Sequence, residues 1–127
     1  MVEDFKGVRI LIVDDEPDLR EILCDGFALR GAEVASASNA EQALEALRLQ
    51  EFDLVISDVR MPKGGGMRIL EGLPELGKTH LPVVLVTGFS DVSENDALQK
   101  GAKIMIAKPF DFATLYDTAK KFIRPAR

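Results

Sequence analysis

Val8-Arg9-Ile10-Leu11-Ile12-Val13-Asp14-Asp15-Glu16-Pro17 decides the fold. An apolar run rich in β-branched residues reads as a buried strand, and here it breaks abruptly into carboxylates and a proline. Pro17 stands where the first turn of a helix tolerates proline. Leu19, Ile22, Leu23, Gly26 and Phe27 then recur at helical spacing. The unit is therefore strand, acidic loop, helix.

The same grammar repeats down the chain. Apolar runs at 54–56, 83–86 and 104–107 lead into Asp58, Thr87 and Lys108, the last followed by Pro109. A weaker strand is expected at Glu33–Ala37. Gly31 stops the first helix, and Ser38 or Asn39 caps the second, whose apolar face is Ala40, Ala43, Leu44 and Leu47. Residues 67–76 read as a helix that Pro74 kinks or ends. Residues 91–100 read as a short polar helix closed by Gly101. Phe112, Leu115, Ala119, Phe122 and Ile123 share one face of the last helix, before Pro125.

Five βα units imply an α/β fold, a doubly wound parallel sheet with helices on both faces. Ligands of such sheets bind beyond the carboxyl ends of the strands, where the winding reverses. Asp14, Asp15, Asp58, Thr87 and Lys108 all fall at those ends.

The chain has 127 residues, 46% of them hydrophobic and 29% charged, which suits one globular domain spanning 1–127. No repeat, linker or low-complexity tract divides it. A net charge of −5 disfavours a nucleic-acid surface, which needs a basic patch. No stretch approaches the roughly 20 apolar residues of a membrane span, and the N-terminus lacks a signal-peptide pattern. The single cysteine, Cys24, permits no internal disulfide and fits a cytoplasmic protein.

Three carboxylates converging on one pocket raise each other's pKa unless a cation offsets them. Mg²⁺ suits such a site, because it takes a few carboxylates, water and phosphate oxygens. Asp14 and Asp15 make the metal cradle, and Asp58 can itself accept a phosphoryl group as an aspartyl phosphate. Lys108 supplies fixed positive charge and Thr87 a hydroxyl for a phosphate oxygen. Singly, each residue has a plainer reading: a helix cap, a turn aspartate, a β-branched strand end, a solvated lysine. All of those coincidences would have to fall on one sheet edge.

The ordered set resembles the receiver domains of two-component response regulators, of the CheY-like superfamily, over essentially the whole chain. Asp14-Asp15 resemble the family's acidic pair, and Asp58-Val59-Arg60-Met61-Pro62 its phosphoacceptor motif. Thr87-Gly88 resembles the hydroxyl with its small follower, and Lys108-Pro109-Phe110 the lysine motif. The resemblance implies a flavodoxin-like (βα)5 sheet of strand order 2-1-3-4-5. It also implies a metal ligand from the Arg60 backbone carbonyl and a cis Lys108–Pro109 peptide. The donor would be a sensor histidine kinase or histidine phosphotransfer protein. The output would be an unidentified protein target reached through the face of the fourth helix, fifth strand and fifth helix. A phosphorylation-dependent dimer is compatible with it, with no residue assigned to the interface.

Three departures from the family pattern stand out. Ile106 occupies the position where receivers usually carry an aromatic switch residue. Gly64-Gly65-Gly66 follows Pro62-Lys63 where a methionine and a capping aspartate are common, so a looser loop and a frayed helix start are expected. Pro74 shortens the third helix. Arg60 and Phe89 flank the pocket as tuning residues or as plain surface groups. His80 is expected in solvent, and Cys24 and Tyr116 receive no role.

Two rival readings can be weighed on the same residues. A small haloacid-dehalogenase-type phosphatase needs Asp-x-Asp at the first strand, against adjacent Asp14-Asp15, and room for a cap domain. A flavodoxin-like binding module needs a hydroxyl-rich phosphate loop, where Asp14, Asp15 and Glu16 stand. A receiver acting by contact alone would have no use for the complete pocket. The chain is thus expected to be a signalling phosphoacceptor, not a turnover enzyme, with no output domain after its last helix.

Overall fold

Alternation along the strands places two separate cores on the two faces of one sheet. The computed structural model describes residues 4–61, 64–88 and 94–123. Its parallel sheet contains β1 (Arg9–Val13), β2 (Glu33–Ala37), β3 (Leu54–Asp58), β4 (Val83–Thr87) and β5 (Ile104–Ala107), in the order β2-β1-β3-β4-β5. Ile10, Ile12, Leu54, Ile56, Val84 and Val86 face one side. Leu11, Val13, Val55, Val83 and Leu85 face the other. Each fully buried aliphatic side chain of this kind contributes about 1.5–3 kcal/mol relative to exposure.

Helices α1 (Pro17–Leu29) and α5 (Phe112–Phe122) cover the first face through Leu23, Phe27, Leu115 and Ala119. Helices α2 (Ala40–Leu49), α3 (Gly66–Gly72) and α4 (Glu94–Gln99) cover the second through Ala40, Ala43, Leu47, Ile69, Leu70 and Ala97. The winding reverses between β1 and β3, whose registers pair Val13 with Ser57. That reversal opens the crevice that positions the site. None of the described helices is long and apolar enough to cross a membrane.

The chain departs from the sequence expectations in particular places. β3 and β4 run one or two residues further than their apolar runs, so Asp58 and Thr87 are the last residues of their strands. Ile22 is 50% exposed and Phe112 37% exposed, although both fall at helical spacing with core residues. Phe112 instead meets Phe110 edge-on and stacks against Tyr116. β2 reads weakly because it is an edge strand with only Ala37 buried. Asn39, not Ser38, caps α2 by accepting the Gln42 N–H, while Gln42 Oε1 accepts from the Ser38 N–H in return.

Pro74 acts as expected: α3 ends at Gly72 and a single 3₁₀ turn, Pro74–Leu76, follows. The N-cap of α3, Gly65, offers no side-chain cap. The expected loosening of the preceding loop is not what its described glycines show. A Cβ on Gly65 would lie 2.0 Å from the Val59 carbonyl oxygen, and one on Gly66 would lie 2.3 Å from Leu85 Cδ2. These glycines let backbone press against the end of β3. Pro62, Lys63, Phe89, residues 91–93 of the expected fourth helix and Pro125 lie outside the described residues.

Candidate functional site

Asp14 is the first residue beyond β1, and its N–H still donates to the Ala37 carbonyl at 3.2 Å. Its Oδ1 accepts the Glu16 N–H at 2.8 Å, an Asx-type turn that starts the loop into α1. The residue is only 3% exposed. Asp15 beside it is exposed. Asp58 closes the neighbouring strand at 8% exposure, where Ser57 Oγ donates to its carbonyl at 2.9 Å. One carboxylate oxygen from each of Asp14, Asp15 and Asp58 lies within 4.8 Å of the others.

Lys108 reaches this triad from the end of β5. Its Nζ lies 2.9 Å from Asp58 Oδ2 and 3.8 Å from Asp14 Oδ2. The Lys108 N–H donates to the Thr87 carbonyl at 2.7 Å, which ties the ends of β4 and β5 together. The Lys108–Pro109 peptide is cis, as the family resemblance implied. Thr87 is buried one residue beyond Val86, the register partner of Asp58. The exposed Arg60 directs its N–H toward Asp58 Oδ1 at 3.4 Å.

Electrostatics follow from this packing. Burial, the largest influence, lifts the Asp14 carboxyl above its ordinary value. The Glu16 N–H and Lys108 oppose that shift, whereas Asp58 and Asp15 add to it. For Lys108, burial disfavours the ammonium. Its hydrogen bond to Asp58 and the charges of Asp58, Asp14 and Glu16 outweigh that, so its pKa is raised.

The donor set fits a hard divalent ion. Mg²⁺ binds oxygen at about 2.1 Å, so opposite ligands stand about 4.2 Å apart. Carboxylate oxygens within 4.8 Å of each other need little movement to share one ion. The buried, electrostatically crowded Asp14 is the group that gains most from such a charge.

Asp14, Asp15, Asp58 and Lys108 therefore come together as the sequence suggested, with Thr87 at the adjoining strand end. His80 is exposed. Tyr116, given no role from sequence, packs edge-on against Phe27 and under the Arg30 guanidinium, a structural contact between α1 and α5. Two polar contacts escaped the sequence reading: Ser57 to the Asp58 carbonyl, and Arg20 Nη1 to the Asp14 carbonyl at 2.7 Å. Arg20 lies six residues past Asp14, one turn into a helix, and that spacing is the only sequence signal for it.

Comparison with known proteins agrees with this geometry. The family model described as "Response regulator receiver domain" matches residues 10–120. The response regulator protein FleR of Pseudomonas aeruginosa is 40% identical over 112 residues, covering 87% of this chain and 24% of that protein. The regulatory protein AtoC of Escherichia coli is 39% identical over 108 residues, covering 84% of this chain and 23% of that protein. The chain thus spans about a quarter of the length of these relatives. Among solved structures, response regulator TrrA of Thermotoga maritima, in complex with Mg²⁺ and BeF, superposes with TM-score 0.81. It is 32% identical and the match covers 91% of this chain and 99% of that one. A CheY-like receiver domain protein from Methanospirillum hungatei superposes with TM-score 0.83 at 28% identity, covering 90% and 91% of the two chains. Neither the phosphatase nor the flavodoxin-like alternative finds support in these matches. The chain belongs to the response regulator receiver domain family, the phosphoacceptor switches of two-component signalling.

Proposed function

We propose that Asp58 is the phosphoacceptor of this receiver. The observation that carries the reading is the Lys108 ammonium, 2.9 Å from Asp58 Oδ2 at the mouth of a three-carboxylate cluster. A carboxylate oxygen of Asp58 attacks the phosphorus of a phosphohistidine on a sensor kinase or histidine phosphotransfer protein. The P–N bond breaks, and its electron pair returns to the imidazole, which takes up a proton. Lys108 then offsets charge on the transferred group, and the Thr87 hydroxyl donates to one of its oxygens.

Asp14, Asp15, Asp58 and the Arg60 backbone carbonyl are the proposed Mg²⁺ ligands. The Mg²⁺ complex of the similar TrrA supports this assignment. The ion supplies charge neutralisation for the phosphoryl oxygens. Phosphorylation draws Lys108 and Thr87 toward the new oxygens and shifts the α4–β5–α5 face, through which a protein target is controlled. The product is a modified protein with slow self-dephosphorylation, not a turned-over small substrate. The site's chemistry and the lone cysteine suit the cytoplasm. Residues 1–127 act as one receiver unit.

Incubation with acetyl phosphate and Mg²⁺, read by intact mass, tests the assignment. Wild type should gain one phosphoryl mass and Asp58→Asn none. Equal labelling of both would overturn it.

A further inference from the structure

The structure assigns Arg20 a positioning role: from α1 it holds the backbone turn that aims the Asp14 and Asp15 carboxylates at the cation site. The inference rests on the Mg²⁺ reading above. Helix α1, like α3, begins without a side-chain capping bond, here at its N-cap Glu16. The turn is closed from inside the helix instead. The Arg20 N–H makes the ordinary first helical bond to the Glu16 carbonyl at 3.0 Å, and Arg20 Nη1 adds a second anchor by donating to the Asp14 carbonyl at 2.7 Å. One residue thereby pins both ends of the loop that carries Asp15.

That loop matters most for Asp15. Asp14 is fixed by bonds to its N–H and to its Oδ1 as well as to its carbonyl. Asp15 is exposed, and among the described residues no hydrogen bond or ion pair is made to its carboxylate. Its place in the 4.8 Å cluster therefore depends on the backbone that carries it. Removing the guanidinium frees the Asp14 carbonyl and lets the Asp14–Asp15 peptide swing. The cost falls on the ligand that nothing else holds.

Charge and geometry predict opposite outcomes for Arg20. As a cation next to the cluster, it repels a second cation, so neutralising it would tighten Mg²⁺ binding. As the clasp of the ligand loop, it aids binding, and losing it would weaken the site. Partners that orient metal ligands typically matter by about tenfold or more in affinity.

The test is Mg²⁺ titration of the metal-free protein by calorimetry, with thermal unfolding of the same samples without Mg²⁺. Wild type, Arg20→Gln, Arg20→Lys and Asp15→Asn are compared. Arg20→Gln should raise the Mg²⁺ dissociation constant about tenfold, and Arg20→Lys, with its shorter reach, by about threefold. In acetyl phosphate labelling the half-saturating Mg²⁺ concentration should rise, while the rate at saturating Mg²⁺ is kept. Unchanged or tighter Mg²⁺ binding in Arg20→Gln, with or without a lower melting temperature, overturns the inference. If Arg20→Gln does not fold, Arg20→Lys decides: binding equal to wild type overturns it. Failure of wild type to bind Mg²⁺, or wild-type binding by Asp15→Asn, overturns the metal reading itself and the inference with it.

Discussion

Lys108 and Asp58, 50 residues apart in sequence, meet at 2.9 Å between the ammonium and Oδ2 at the ends of β5 and β3. The pair is partly buried, and the Lys108 ammonium also lies 3.8 Å from the Asp14 carboxylate. Lys108→Ala should therefore destabilise the Mg²⁺-free protein by about 1–2 kcal/mol, between exposed and fully buried ion pairs. Saturating Mg²⁺ should recover most of that loss, since the ion replaces the missing charge. Urea unfolding with EDTA and with Mg²⁺ checks both statements, and an equal loss in the two buffers would contradict them.

Asp14 predicts the opposite sign. Burial lifts its carboxyl above the ordinary value, so the folded chain holds that proton more tightly than the unfolded chain does. The stability this contributes is fully present below about pH 3.9 and is lost as pH rises through the folded pKa, the reverse of an ordinary paired aspartate. Asp14→Asn keeps an acceptor for the Glu16 N–H but removes the buried charge. Without Mg²⁺ it should be more stable than wild type at pH 7, with the difference shrinking as pH falls toward the ordinary carboxyl range. Its melting temperature should no longer respond to Mg²⁺. Lys108, also raised, contributes stability that is present below about pH 10.4 and fades only as pH climbs through its higher folded value.

Close backbone approach at the head of α3 predicts a sharp contrast between glycines. Gly65→Ala drives a methyl into the Val59 carbonyl oxygen at 2.0 Å, a backbone atom that cannot rotate away. A loss of about 2–3 kcal/mol is expected, in the range of overpacked cores. Among the described residues, Gly88→Ala meets Lys108 Cβ and Cδ at 3.8 Å, ordinary contact distance, and should be tolerated. Chemical denaturation of the two variants reads the difference directly.

The α1–α5 contact offers a coupled pair. A Cβ on Gly26 would stand 2.0 Å from the Tyr116 hydroxyl oxygen, while the Tyr116 ring is held by Phe27 and Arg30. Gly26→Ala should destabilise the protein, and adding Tyr116→Phe should recover part of the loss. A double-mutant cycle with a coupling energy of about 0.5 kcal/mol or more is expected. Strict additivity would show that the hydroxyl is not the obstacle.

How far the sequence was legible depended on how local the signal was. Strand runs ending in Asp14, Asp58, Thr87 and Lys108 carry composition, period and chemistry in one short stretch, so the sheet and the carboxylate cluster could both be read. Ile22 and Phe112 kept the helical spacing of core residues yet lie exposed, because spacing states which face a residue shares and not where the core ends. The glycines after Lys63 read as slack; their tight packing depends on Val59 and Leu85, which only the folded chain brings near. Arg20 was invisible for a related reason: a helical arginine is ordinary until its guanidinium is found on the Asp14 carbonyl.

The phosphoryl group is expected on Asp58. Labelling with acetyl phosphate and Mg²⁺, reductive trapping of the acyl phosphate with borohydride, and peptide mass mapping would locate it. The reduced residue should be Asp58, the carboxylate bonded by Lys108. Trapping at Asp14 or Asp15, or no trapped residue in the peptide that carries Asp58, would contradict it.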